Sequence, residues 1–203
     1  SLIPVFSIEG DADQTRARRG AGIHERVLES MAALKARKAI FGVSVTATSR
    51  NADLILSESF LRELERTGVS VLFIVEYVPA KPGTEDLVLT EAQKRLLLSK
   101  ELFSGLSYPV VTLPGDEEEY GGCLAAGRGF LHLSPEGALE ACPFAPFSDT
   151  SAAERPLLRA LESPLLAAIR EHHGELTETR GGCALWNKRG WVTSLGTCAA
   201  RAG

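Results

Sequence analysis

"VSVLFIVEYV", spanning Val69–Val78, is the most continuous apolar run in the chain and decides how the rest is read. It is rich in β-branched and aromatic residues and is bounded by Gly68 and Pro79. A run of this composition reads as a strand covered on both faces, the hallmark of a parallel sheet. The patterns on either side support it. Upstream, "SESFLRELERTG" (57–68) sets Phe60, Leu61 and Leu64 on one helical face, with Ser57 as cap and Gly68 as stop. Before that lie "IFGVSVTAT" (40–48), strand-like, and "GIHERVLESMAALKARK" (22–38), whose Ile23, Val27, Met31 and Leu34 mark another helical face. "LIPVFSI" (2–8) is a first short strand. Downstream, "LTEAQKRLLLSKELFSG" (89–105) reads as one helix capped by Thr90 and stopped by Gly105, and "YPVVTL" (108–113) as a further strand.

Strands alternating with helices predict an α/β fold with a parallel sheet and crossover helices. Three clear βα units and one more strand are too few for a closed eight-stranded barrel. The turn "RRGAG" (18–22) lacks the glycine spacing of a dinucleotide loop. After Pro114 the texture changes. "GDEEEYGG" (115–122) is an acidic, glycine-flanked break, so residues 1–114 and 115–203 are expected to form two domains. The second would hold a small hairpin, a Pro- and Ser-rich loop (143–153) and two short helical patterns, "AERPLLRALES" and "SPLLAAIREHH".

Composition bounds the function. The chain has 203 residues, 44% hydrophobic and 24% charged, with a net charge of -4. The acidic balance gives no nucleic-acid footprint, and the basic cluster Arg16, Arg18, Arg19 is short and local. No apolar run approaches membrane-spanning length and no signal peptide is visible, so a cytoplasmic protein with no membrane partner is expected. There, the four cysteines read as thiols or metal ligands rather than disulfides.

Two of those cysteines lie in "GGCLAAGRGFLHLSPEGALEACPF" (121–144). "FLHL" and "ALEA" flank the turn 134–137, with Pro135 where φ is preset and Gly137 where positive φ is needed. Antiparallel pairing carries Cys142 back toward Gly129, and the glycines of "LAAGRG" let Cys123 return to the same place. Cys183 follows Gly181-Gly182 as Cys123 follows Gly121-Gly122. Three readings stay open from the residues: small buried hydrophobes, a zinc site, or an inorganic cluster whose sulfurs accept N–H bonds from the glycines. Zinc spacing such as CxxC is absent, and the adjacent His172-His173 end an amphipathic helix as dipole-facing surface residues. Glu9 and Glu76 stand in apolar surroundings, and facing a barrel interior they would require a polar pocket.

The spacing C-x13-G-x4-C, with Cys123, Gly137 and Cys142, resembles the opening of the auxiliary-cluster module, of SPASM or twitch type, carried by radical SAM enzymes. "VFSIEG", "ARRGAGIHERVLESMAALKARK" and "FGVSVTAT" resemble the middle of the radical SAM barrel, from its fourth strand onward. The resemblance implies half of a partial (βα) barrel followed by a reduced, twitch-like module. It implies Cys123, Cys142 and Cys183, with Cys198 as a further candidate, as ligands of an auxiliary [4Fe-4S] cluster. Ser7 and Ser44 would lie near S-adenosylmethionine (SAM), and Arg19 near a SAM or substrate carboxylate. The family holds its catalytic cluster on CxxxCxxC, which these 203 residues lack.

The expected protein is therefore a C-terminal part of a radical SAM oxidoreductase, inactive alone, acting in full length on a peptide or small molecule. The rivals are a non-catalytic partner- or peptide-binding module and a zinc-stabilised structural domain. Because the chain enters "LIPVFSI" at once, that strand is expected to seek a neighbour, most simply in a homodimer.

Overall fold

The computed structural model describes residues 3–79, 83–113, 120–177, 183–195 and 199–200. Two compact units result, one from the described residues up to Leu113 and one from Tyr120 onward. The first holds four parallel strands in the order β1 (Val5–Ile8), β2 (Gly42–Ala47), β3 (Val71–Glu76) and β4 (Val110–Leu113). Between them run α1 (Ala12–Arg19), α2 (Ile23–Ala36), α3 (Ala52–Ile55), α4 (Glu58–Thr67), α5 (Glu91–Leu97) and α6 (Lys100–Phe103). The α/β class and the partial parallel sheet expected from sequence are what the structure has.

Register explains the core. Phe6, Val43, Leu72 and Val110 align across the sheet, as do Ile8, Val45, Ile74 and Thr112. This face packs on Met31, Ile55, Phe60, Leu61, Leu64 and Leu97 from the helices. Phe6 and Phe41 meet edge to face, ring centroids 6.1 Å apart. The opposite face carries the row Ser7, Ser44, Phe73 and Val111, all half-buried. Among the described residues β1 is an edge strand, with Ile3 and Val5 exposed.

Caps behave as expected. The Ser57 hydroxyl accepts the Phe60 N–H, Thr90 and Gln93 form a reciprocal capping box, and Gly68 ends α4 at φ +87. In the first unit two helices, α1 and α3, go beyond the sequence reading. The Asp11 carboxylate accepts the Gln14 N–H and starts α1, which is too polar to show an apolar period. α3 is a single turn. The single helix expected over 89–105 is two, because Ser99 leaves the helical conformation and turns its hydroxyl to Glu101.

Glu65, on α4, reaches the loop before β4. The Ser107 hydroxyl and N–H, then Arg62, hold its carboxyl down at about 2. Burial pushes the adjacent Tyr108 phenol up to about 12, the Glu65 charge adding to it, while its hydroxyl donates to the Leu61 carbonyl. A carboxyl lowered in the native state contributes stability above its unfolded value and loses it as pH falls toward 2. Between pH 4.5 and about 2, Glu65→Gln is expected to flatten the decline of the urea midpoint; an unchanged acid slope would remove Glu65 from this role.

The second unit is built from short pieces. β5 (His132–Leu133) and β6 (Leu139–Glu140) pair antiparallel, as do β7 (Phe147–Ser148) and β8 (Ala199–Ala200). α7 (Leu157–Ala160), α8 (Pro164–Glu171), α9 (Ala184–Asn187) and α10 (Arg189–Ser194) complete it. In the turn the Gly137 N–H donates to the Ser134 carbonyl, with Gly137 at φ +86 as its position demands. Among the described residues no helix is long and apolar enough to cross a membrane.

Candidate functional site

Parallel sheets place their functional groups where the strands end and the loops begin. In the first unit this edge carries a cleft of about 310 Å³ lined by Glu9, Gln14, Arg18, Thr48, Arg50, Asn51, Tyr77 and others. Glu9, Thr48 and Tyr77 continue the alternation of Ser7, Ser44 and Phe73, so the cleft extends the half-buried face of the sheet. Ser7 and Ser44 are direct register partners one turn of the pleat below it.

Glu9 is the most constrained group there. Its side chain is 4% exposed, and it accepts from Arg18 Nη1 at 2.6 Å and from Arg19 Nε at 2.7 Å. Both guanidinium groups remain partly in water, so the clamp neutralises the carboxylate without the full cost of burying two cations. Arg19, expected beside a ligand carboxylate, thus holds a carboxylate of its own chain. Arg18 reaches the cleft, where Arg50 pairs with Asp86.

Asn51 ties the strand ends together and was not singled out from sequence. Its amide donates to the Glu9 carbonyl at 2.9 Å and the Thr46 carbonyl at 2.8 Å. Its Oδ1 accepts the Thr48 N–H at 2.7 Å and the Thr48 hydroxyl at 2.9 Å. The signal was a Thr-x-x-Asn step after a strand, ahead of a short helix. Asn51→Ala orphans several buried backbone groups at once and is expected to cost about 2–4 kcal/mol. Urea denaturation measures it, and a loss under about 1 kcal/mol would mean water replaces the amide.

Glu76 corrects the sequence expectation. It lies on the helix-covered face with Leu72 and Ile74, 1% exposed, and Lys94 of α5 approaches it at 3.7 Å. It therefore faces the helix layer rather than a barrel interior.

In the second unit Cys123, Cys142 and Cys183 are all buried, while Cys198 lies outside the described residues. The Ala126 N–H donates to the Ala141 carbonyl at 2.9 Å, which binds the Cys123 loop to the strand leading into Cys142. The Cys123 N–H donates to the Leu176 carbonyl at 2.9 Å. Arg128 closes the loop, donating to the carbonyls of Tyr120, Gly122 and Cys123. Arg170 does the same for Ala126 and Leu161. Cys142 Sγ accepts the Phe144 N–H at 3.4 Å, and Cys183 Sγ caps α9 by accepting the Trp186 N–H at 3.3 Å.

Backbone N–H bonds to two of the sulfurs suit thiolates. The glycines act differently from the expectation for Gly122, whose φ is +113 and whose Cα lies so close to His173 that a Cβ would stand 2.0 Å from its carbonyl oxygen. It serves close backbone packing rather than cluster room. Among the described residues no three His, Cys, Asp or Glu side chains gather as one metal ion requires. His172 and His173 end α8 as expected: His172 is the C-cap residue, and His173 Nδ1 meets the Arg170 carbonyl at 2.6 Å.

By sequence, the chain matches no family model and no curated protein. By structure it is similar to Streptococcus suis SuiB bound to S-adenosylmethionine, with a TM-score of 0.62 at 16% identity, covering 83% of this chain and 44% of that one. It is similar to anSMEcpe with bound AdoMet, with a TM-score of 0.60 at 13% identity over 84% of this chain and 50% of that one. The chain shares part of the fold of these proteins, a parallel sheet with crossover helices. A third structure, anSMEcpe with AdoMet and the Cp18Cys peptide, gives a TM-score of 0.61 at 13% identity, covering 88% of this chain and 58% of that one. This chain thus spans roughly half the length of the structures it matches.

Proposed function

We propose that the chain forms the later barrel strands and the auxiliary-cluster module of a radical SAM oxidoreductase. The observation that carries this reading is the Cys123 loop bound through Ala126 and Ala141 to the strand of Cys142, within a fold shared in part with SuiB and anSMEcpe. Cys123, Cys142 and Cys183 would hold the cluster, with Cys198 as a fourth candidate. A [4Fe-4S] cluster there supplies electron transfer or a fixed point for substrate. The protein's own part is to bury the thiols, aim N–H groups at their sulfurs and lock the loop through Arg128.

On the half-buried face of the sheet, Ser7 and Ser44 would offer hydroxyls to the polar end of SAM, while Arg18 and Arg19 keep the Glu9 carboxylate neutralised at the strand ends. The peptide held by one matched anSMEcpe structure makes a peptide the first substrate class to try.

The test is anaerobic reconstitution with iron and sulfide. The expected protein is brown, with iron and acid-labile sulfide bound together. A colourless protein with stoichiometric zinc would replace the cluster with a structural metal. Reductive SAM cleavage by these 203 residues alone would refute the assignment, since they contain no CxxxCxxC.

A further inference from the structure

Along the segment that receives the Cys123 N–H lies a second cleft, of about 270 Å³. Among the described residues its lining is Leu176 as an apolar floor, the Trp191 ring, His172, Glu175 and Lys188. We propose that this cleft binds a small aromatic carboxylate, ring against Trp191 and carboxylate toward Lys188. It goes beyond the cluster reading and does not depend on iron.

Size comes first. A cavity of roughly 150 Å³ suffices for benzene, so this one takes a single ring plus a polar group and little more. Shape and chemistry follow. His172 and Trp191 meet edge to face, ring centroids 5.5 Å apart and planes at 76°, which fixes the indole as one wall. Leu176 is fully buried beneath.

Charge decides the ligand's sign. His172 Nδ1 lies 3.0 Å from Glu175 Oε1, and the His172 interaction holds the Glu175 carboxyl below its ordinary range. The Glu175 carboxylate is therefore already engaged by the His172 ring. Lys188 Nζ donates one proton to the Glu175 carbonyl at 2.7 Å, and its other two remain for a ligand. A cationic ligand would face that ammonium. A purely apolar one would desolvate it without a partner. A carboxylate gains a charge-assisted bond instead.

Position gives the site its interest. The 172–176 segment both lines the cleft and holds the thiol loop: Leu176 accepts the Cys123 N–H, and the His173 carbonyl abuts Gly122. A ligand seated on Leu176 and His172 bears on the backbone bond of a candidate cluster residue.

The experiment uses iron-free protein with Trp186→Phe, leaving Trp191 as the fluorophore, titrated with phenylacetate, phenylacetamide and benzylamine. Phenylacetate should change the emission saturably, with the amide and the amine at least about tenfold weaker. Lys188→Met should weaken phenylacetate about tenfold and leave the amide unchanged. Equal response to the three probes, or no saturable response to phenylacetate, overturns the site without reference to Lys188→Met. Failure here leaves iron loading untouched, and failure of iron loading leaves this titration untouched.

Discussion

Cys123→Ser and Cys142→Ser proteins, reconstituted anaerobically, are expected to lose most of the iron and sulfide bound by the parent chain while keeping its secondary structure. Serine nearly matches cysteine in size, so each substitution alters little packing at positions 8% and 3% exposed. What it removes is the thiolate, which a hydroxyl cannot replace as a ligand to iron and sulfide. Far-UV circular dichroism and thermal unfolding of the iron-free variants separate lost ligation from lost fold. Parent-level iron in both variants would sink the assignment of this pair. Arg128 offers a finer readout, because it positions the Cys123 loop without touching a sulfur.

Among the described glycines of the second unit, Gly122→Ala should be the most damaging single-methyl change, at about 2–5 kcal/mol from backbone strain and overpacking together. The added Cβ would stand 2.0 Å from the His173 carbonyl oxygen and 2.6 Å from its carbon, at a φ of +113 that alanine rarely adopts. Backbone is the obstacle, so no side chain can swing aside. The neighbouring Gly121→Ala is the control. Its φ is +67 and a Cβ there meets open space, so only the left-handed conformation is penalised, by about 1–2 kcal/mol. Urea midpoints of the two proteins decide the matter, and equal losses would show that the 121–123 loop moves away from His173 at little cost.

Legibility from sequence followed the range of the interactions. Local features were readable: Ser57 and Thr90 as caps, Gly68 as a stop, and the Ser134–Gly137 turn all depend on residues within a few positions of each other. The four strands were readable because "VSVLFIVEYV" and its companions are short, largely apolar runs rich in β-branched residues. The spacing of Cys123, Gly137 and Cys142 likewise survives as sequence, since a hairpin fixes it.

Tertiary structure alone decided the rest. Alternation along β3 puts Leu72, Ile74 and Glu76 on one face but cannot say which face the helices cover; Lys94, on a helix that follows, settles it for Glu76. Glu9 looked like an isolated buried acid until α1, too polar to announce itself, brought Arg18 and Arg19 back over it. Asn51 joins Glu9 across 42 positions, and Arg170 reaches Ala126 across 44. Such bonds link residues whose identities carry no shared local pattern. Only folding of the chain creates the buried carbonyls that need them, and sequence periodicity records burial but not the partner that satisfies it.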